Sequence, residues 1–463
     1  MAGIAGIARP GEQDTVVRVS EKIAHRGKHN KKIINNHRTT LYACWHAIEN
    51  QPVPPTLEKQ SVWDGVFVPL PEEELLTSAK KPFAMATIIG EELLLARDPL
   101  GVKPLYYGRL GDILVFSSEV KSLLTVTKNV HEFPPATIYT PSKGFRRYKK
   151  FGFKIFQDAD EKNLITGLRL RLEQAILRRI IGNEVGCWLS GGLDSSAIAA
   201  LTRPHLRNLH SFVSGVKGAE DLEYGRQMAS HLNTVHHERI VTLEEMLNVL
   251  PQVIYHLESF DALLVRSSIT NYLTAEMASD YTETVLSGEA GDELFAGYEY
   301  LKSLPLENLP AELEDILMRL HNTALQRVDR CAQANGILPL VPFTDPDVVD
   351  FALRIPPQFK LYRRGSEIIE KWILRRAVED LLPGSVLWRP KAKFWQGAGV
   401  KNLIEEYADH HTSDTDFQRE RQLPNGWVLN SKEELFYYRI FKEQFSELEN
   451  LDWMGRTKGA PLN

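Results

Sequence analysis

The chain has 463 residues, enough for two domains or one large α/β domain, and its 43% hydrophobic and 25% charged residues suit a globular protein with a sizeable core. A formal net charge of -5 leaves no global basic field to recruit nucleic acid or an anionic membrane. The three cysteines lack CxxC spacing, "MAGIAGIARP" has no basic n-region, and no apolar run reaches the ~18 residues of a span, so a soluble protein in a reducing cytoplasm is expected.

Residues 1 to about 150 read as β-rich. "TTLYACWHAI", "KPFAMATIIG", "ELLLARD" and "DILVFSSE" alternate with Pro and Gly breaks, as in packed antiparallel sheets. "QPVPPTLEKQ" and "PLPEEELL" read as loops, and "KKFGFKIFQDADEKN" as a polar linker. From about 160 the rhythm changes. "EKNLITGLRLRLEQAILRRII" has apolar residues at helical spacing with arginines on the other face. "EVGCWLS", "LHSFVSGV" and "YTETVLSGE" then read as strands, separated by the helical stretches "SSAIAALTRPHL", "DLEYGRQMASHL" and "TLEEMLNVLPQVIYHL". That alternation predicts a parallel sheet with helices on both faces.

Leu189-Ser190-Gly191-Gly192-Leu193-Asp194-Ser195-Ser196 sits where a buried strand becomes a helix. Ligands of such sheets bind beyond the strand C-termini, and free N–H groups at a helix start favour an anion. The glycines allow a tight turn, and Ser190, Ser195 and Ser196 add hydroxyl donors. Asp194 would repel phosphate unless a cation lies between them, which implies Mg²⁺. A plain capped turn is the bland alternative. No lysine follows the glycines, so this is not the GxxxxGK[ST] loop.

The octet resembles the pyrophosphate loop of the ATP pyrophosphatase superfamily. Ser287-Gly288-Glu289-Ala290-Gly291-Asp292-Glu293-Leu294-Phe295-Ala296-Gly297-Tyr298 resembles the SGEGxDExFxGY segment of asparagine synthetases. "NTVHHE", "IYHLESFDALLVRSS" and "LWRPKAKFWQGAG" follow that family in order, and "LLLARDPLGVKPLYYG" and "LVFSSEVKSLL" resemble its glutaminase domain. The resemblance implies an N-terminal α+β sandwich of antiparallel sheets over 1–152 and an α/β synthetase domain with a parallel sheet over 160–463. It implies ATP and Mg²⁺, with Asp194 and Asp292 holding the metal. Leu189, Ser214, Ser287 and Gly288 would flank the adenosine, Glu289 would meet the incoming nitrogen, and Lys391 would steady the departing phosphate charge.

Each residue has a plainer reading. Asp292-Glu293 suits an exposed helix start, Lys391 a solvated surface, and Arg266 a structural ion pair. His236 and His237 alternate faces of a strand, which favours packing over a metal.

Two departures stand out. Glutamine-dependent members of the family begin Met-Cys, and here Ala2 offers no nucleophile. HRGPD has become "HRGKH", RLSI "HAIEN" and NGEIYN "WDGVFV". Asp64 thereby stands at the oxyanion-binding asparagine and Val66 at the glutamate that grips the substrate ammonium. An inactive glutaminase-like domain is expected. In addition, GxEARVPFLD has become "GILPLVPFTD", with Leu338 and Leu340 in place of an acid and a base. Either an acceptor contact or a structural ion pair has gone.

The expected function is an ATP- and Mg²⁺-dependent amide-forming ligase, with ammonia on aspartate leading. An amide ligase of the β-lactam synthetase type, joining another carboxylate to an amine, is the first alternative; a silent nucleotide-binding partner is the second. The expected partners are a small-molecule carboxylate and ammonia or an amine, with a homodimer left open and neither nucleic acid nor membrane.

Overall fold

The computed structural model describes residues 2–46, 56–57, 60–65, 73–152, 154–180, 182–390, 394–445, 448 and 450–458. The N-terminal third forms two six-stranded sheets. One runs in the order Val130–Glu132, Tyr106–Leu110, Ile113–Ser117, Ala2–Ile7, Thr40–Trp45, Asn30–Asn35. The other runs Gly144–Arg147, Thr137–Thr140, Glu92–Arg97, Phe83–Ile89, Ser61–Gly65, Thr56–Leu57. Alternation along the strands turns Ile4, Leu41 and Phe116 of the first toward Val62, Ala84 and Leu95 of the second, and these residues form one buried cluster.

The first sheet's other face joins a second cluster. Val16, Val19 and Val120 pack there with Met246, Leu250, Val253 and Ile254, so the N-terminal layers share a core with the C-terminal part. "EELLTS" departs from the loop expected of "PLPEEELL" and forms the short helix Glu73–Ser78. The polar "linker" is also partly core. Phe151 is buried, and the helix Glu161–Leu177 starts within the stretch, capped by the Asp160 carboxylate accepting from Asn163 N at 3.0 Å. Arg179, expected on the polar face, is buried against Asp345 at 2.7 Å.

Besides a two-stranded antiparallel ribbon, Tyr362–Arg364 with Glu367–Ile369, the C-terminal part has a five-stranded sheet, parallel throughout, in the order Val235–Ile240, Asn208–Gly215, Glu184–Trp188, Thr284–Leu286, Leu338–Leu340. Its first strand in the chain, Glu184–Trp188, lies at the centre. The next two strands add on one side and the last two on the other. The order therefore reverses between Glu184–Trp188 and Thr284–Leu286, and a crevice for a ligand opens beyond their C-terminal ends. Both motifs singled out above follow one of these two strands.

All three cysteines are free and buried. No helix among the described residues is long and apolar enough to cross a membrane.

Candidate active site

A cavity of about 490 Å³ occupies that crevice. Leu189, Ser190, Gly192, Asp194 and Ser195 line it from the first loop, and Ser287, Gly288, Glu289 and Asp292 from the second. The two loops touch, and glycine permits it. A Cβ on Gly288 would lie 2.7 Å from Ser195 N, and one on Gly291 2.6 Å from the Asp194 carboxylate. Gly191 takes φ +66, and a side chain there would run into Tyr224 at 2.3 Å.

Ser196 is placed differently. It is fully buried in the helix Leu193–Thr202, behind the cavity wall. Ser214 does line the cavity, but its hydroxyl is engaged by Thr270 O at 3.1 Å and Thr274 Oγ1 at 2.6 Å. Lys391 and Val66 lie outside the described residues. Pro390, just before Lys391, is in the wall.

Lys371, which drew no attention in the sequence, occupies the centre. Its ammonium is 2.5 Å from Asp194 Oδ2 and 2.6 Å from Asp292 Oδ1, and its side chain is only 2% exposed. Thus one cation sits between two carboxylates from two loops. Asp194 Oδ1 is buried and has no hydrogen-bond partner among the described residues. A pair of hard oxygen donors with one orphaned atom fits a divalent cation such as Mg²⁺.

Arg389, from "LWRPK", fastens the first loop. It donates to Ser190 O at 3.0 Å, pairs with Asp221 at 2.7 Å, and lies 4.1 Å from the centre of the Tyr224 ring. At the other end Glu289 pairs with Arg327. Next to it, burial pushes the Glu293 carboxyl up to about 8, helped by the charges of Asp292 and Glu289; it accepts a hydrogen bond from the Tyr298 hydroxyl. The chain's C-terminal stretch closes this end: Arg456, Thr457 and Lys458 line the cavity, Thr457 Oγ1 donating to Asp261 at 2.8 Å.

Several sequence candidates lie elsewhere. Arg266 forms a buried ion pair with Glu433, which also accepts from Tyr437 at 2.7 Å. His236 bonds to Ser211 at 2.8 Å, while His237 stacks on Tyr281 with ring centres 3.8 Å apart, so both are packing residues. Leu338 and Leu340 are buried core residues of the edge strand and do not line the cavity. In the N-terminal layers, Ala2 N donates to Asp64 Oδ1 at 3.2 Å, and the other Asp64 oxygen pairs with Arg26 at 2.8 Å.

These features define an α/β protein with a crevice at the switch point of a parallel sheet, lined by two glycine-containing loops and by paired charges, alongside a two-sheet antiparallel sandwich. Residues 167–321 and 307–458 match the asparagine synthase profile, and residues 72–125 match that of a glutamine amidotransferase domain. The chain belongs to the asparagine synthase family. It is 34% identical over 398 residues to asparagine synthetase B [glutamine-hydrolyzing] of Escherichia coli (strain K12), covering 80% of this chain and 71% of that protein. It is also 34% identical over 377 residues to asparagine synthetase [glutamine-hydrolyzing] of Triphysaria versicolor, covering 76% and 63%. Over 399 residues it is 34% identical to the probable asparagine synthetase [glutamine-hydrolyzing] of Dictyostelium discoideum, covering 78% and 71%. The chain thus spans about two thirds of the length of these relatives.

Proposed function

We propose that the chain is an ATP-dependent amide-forming ligase, with a glutaminase-like unit at 1–152 that has lost its activity and a synthetase unit at 160–463. The observation that carries this reading is the meeting of Asp194 and Asp292 on Lys371, at the junction of the two loops. A triphosphate and a carboxylate gather several negative charges, and this junction, one ammonium between two carboxylates, is where a divalent cation would be needed to match them. Mg²⁺ held by Asp194 and Asp292 would withdraw charge from the phosphate oxygens when bound.

The residues then divide the work. Ser190, Gly192 and Ser195 cradle the phosphates at the start of the helix Leu193–Thr202, and Arg389 holds that loop in shape. Leu189, Ser214, Ser287 and Gly288 flank the nucleoside. The substrate carboxylate attacks the α-phosphorus, and the bond to pyrophosphate breaks. Lys371 faces the charge that leaves, and Lys391 is assigned the same role by its place in the family motif. A nitrogen nucleophile, met by Glu289, attacks the acyl carbon, AMP departs, and the nitrogen gives up a proton.

Aspartate and free ammonia lead as substrates, because the synthetase motifs follow the family so closely while Ala2 closes the glutamine route. A carboxylate bearing its own amine is the second reading, favoured by one observation. Arg319, Arg327, Lys371, Arg375, Arg389, Arg456 and Lys458 line the cavity, and each is already paired with a protein carboxylate. The second carboxylate of aspartate would have to displace one of these pairs. Pyrophosphate release with ATP across a panel of acids and amines decides between the readings. Release that needs both aspartate and ammonium supports the first, release without ammonium from another carboxylate that carries its own amine supports the second, and silence throughout overturns ligase function.

A further inference from the structure

Between the N-terminal layers and the C-terminal part lies a closed set of buried charges. Arg26 reaches Asp64 at 2.8 Å, Glu119 at 2.9 Å and Asp329 at 2.9 Å, and donates to Ala2 O at 3.1 Å. Lys103 adds a second cation on Asp329 at 3.1 Å. Arg330 lies 3.0 Å from both Glu119 and Glu258. Lys121 pairs with Glu119 and is 3.4 Å from Glu258, whose carboxylate also accepts from Lys121 N at 2.7 Å. Four cations balance four carboxylates, all of them nearly inaccessible to water. Breaking one member of such a set leaves an uncompensated charge, so its geometry is held tightly.

Three members, Glu258, Asp329 and Arg330, belong to the part that carries the cavity, and two of these sit on the helix Ala324–Ala334. At 3.6 residues per turn, Gln326, Asp329, Arg330 and Gln333 fall on one face and Ala324, Arg327 and Val328 on the opposite face. The structure bears out the division. Gln326 is bonded to Leu257 O at 2.6 Å and Gln333 to Asp329 at 2.9 Å, while Ala324, Arg327 and Val328 line the cavity. Arg327 continues the line to Glu289. Glu258 offers a second route, since three residues on Asp261 caps the next helix, Ala262–Ala278, and holds Thr457 in the cavity wall.

We infer that Arg26, Lys103 and Glu119 are positioning residues for the ligase site. They clamp one face of the helix Ala324–Ala334 so that its other face sets the Arg327–Glu289 pair at the acceptor end. The N-terminal unit, without a thiol at position 2, then serves as the fixed wall against which the cavity is built. This inference rests on the ligase reading for its kinetic test but not for its structural one.

The experiment uses the full chain with Asp329→Asn, which removes the charge while keeping the shape. Hydrogen–deuterium exchange should quicken by about threefold or more in residues 287–298, well away from the substitution, while the strand Asn208–Gly215 keeps its rate. With ATP, aspartate and ammonium chloride as the probe set, the KM for aspartate should rise about three- to thirtyfold, with the KM for ATP within about twofold. A merely structural role would lower the melting temperature and the active fraction and leave both KM values alone. Quickened exchange confined to 324–334 and the N-terminal layers, with unchanged KM values, overturns the inference. If the wild-type chain releases no pyrophosphate, the ligase reading fails and the exchange arm alone decides. Should Asp329→Asn not fold, Lys103→Met with Asp329→Asn keeps three cations against three carboxylates and takes the same measurements. Failure of both to fold would show that the network holds up the whole chain and not the site in particular, and would likewise overturn it.

Discussion

Replacing Lys371 by methionine should convert a junction bridged by one ammonium into a metal trap. In the wild-type protein the ammonium lies 2.5 Å from one carboxylate and 2.6 Å from the other, so the two oxygens it joins are no more than about 5 Å apart. Without it, two negative charges at that separation repel by about 3 kcal/mol at an effective dielectric near 20. The side chains are 13% and 16% exposed, so solvent relieves part of this. A divalent cation no longer has to displace the ammonium and instead removes the repulsion. Lys371→Met should therefore bind Mn²⁺, without nucleotide, up to about 10²-fold more tightly than wild type. It should also be less stable in chelator and regain stability as metal is added. Pyrophosphate release should nevertheless drop by about 10²–10³-fold, since one preorganised cation at the leaving phosphate is gone. Calorimetric titration with Mn²⁺ and a melting curve with and without chelator read both effects. Equal or weaker Mn²⁺ binding in the variant would refute the reasoning, because Asp194 and Asp292 would then not be a pair that shares a cation.

Asp194→Asn and Asp292→Asn should each abolish pyrophosphate release in a folded protein; full activity of either at saturating Mg²⁺ removes that residue from the metal site. Ala2→Cys, with methionine removed, should not hydrolyse glutamine. Asp64, which the sequence pattern sets at an oxyanion donor's position, is fully buried, bonded to Ala2 N and paired with Arg26, and the loss of one such donor alone would cost about 10²–10³ in rate. Robust glutamate formation would show that the site survives. Stability should fall on acidification from pH about 6.5, because burial, with Lys121 and His25 adding to it, holds His256 down to about 2. The unfolded chain takes up a proton below its ordinary value near 6.5 while the folded chain does not, so stability is complete above that pH and is lost below it. Each unit costs up to about 1.4 kcal/mol for this one group. Urea unfolding between pH 7 and 5 should show a shallower slope in His256→Gln, and an identical slope would exclude His256 as the cause.

The parts of the site visible in the sequence are those whose chemistry is local. A strand, a turn of small residues and a helix start occur within a dozen residues, so the Leu189–Ser196 loop carried its own explanation and the fold class followed from the same alternation. Asp292 was legible because glycines and an acid cluster beside it. Lys371 was not, since its partners lie 177 and 79 positions away in the chain and nothing in "EIIEKWIL" marks it. Ser196 is the reverse case. Its hydroxyl shares the loop's composition, but the helix turns it inward, and composition does not report which way a first-turn residue faces. The "PEEELL" stretch misled for a related reason. Flanking prolines signalled a loop, whereas Leu76 is fully buried and gives the segment an apolar side to fold upon.

Substitutions against the family pattern are the most instructive case, because a missing residue has two meanings that the sequence cannot separate. The change at Leu338 and Leu340 lies in the edge strand, where the apolar pair packs into the core and does not line the cavity. The change at Asp64 lies among buried charges, where it meets Arg26 and Lys103 at 2.8 and 3.7 Å. An asparagine there would leave those cations with one carboxylate fewer. Beside a position that carries alanine and no thiol, Asp64 is thus held in a set of compensating buried charges. A buried charge is costly to maintain unless its whole surroundings are fixed. That cost is hard to reconcile with a domain drifting toward loss, and easy to reconcile with one whose rigidity is used by the cavity next to it.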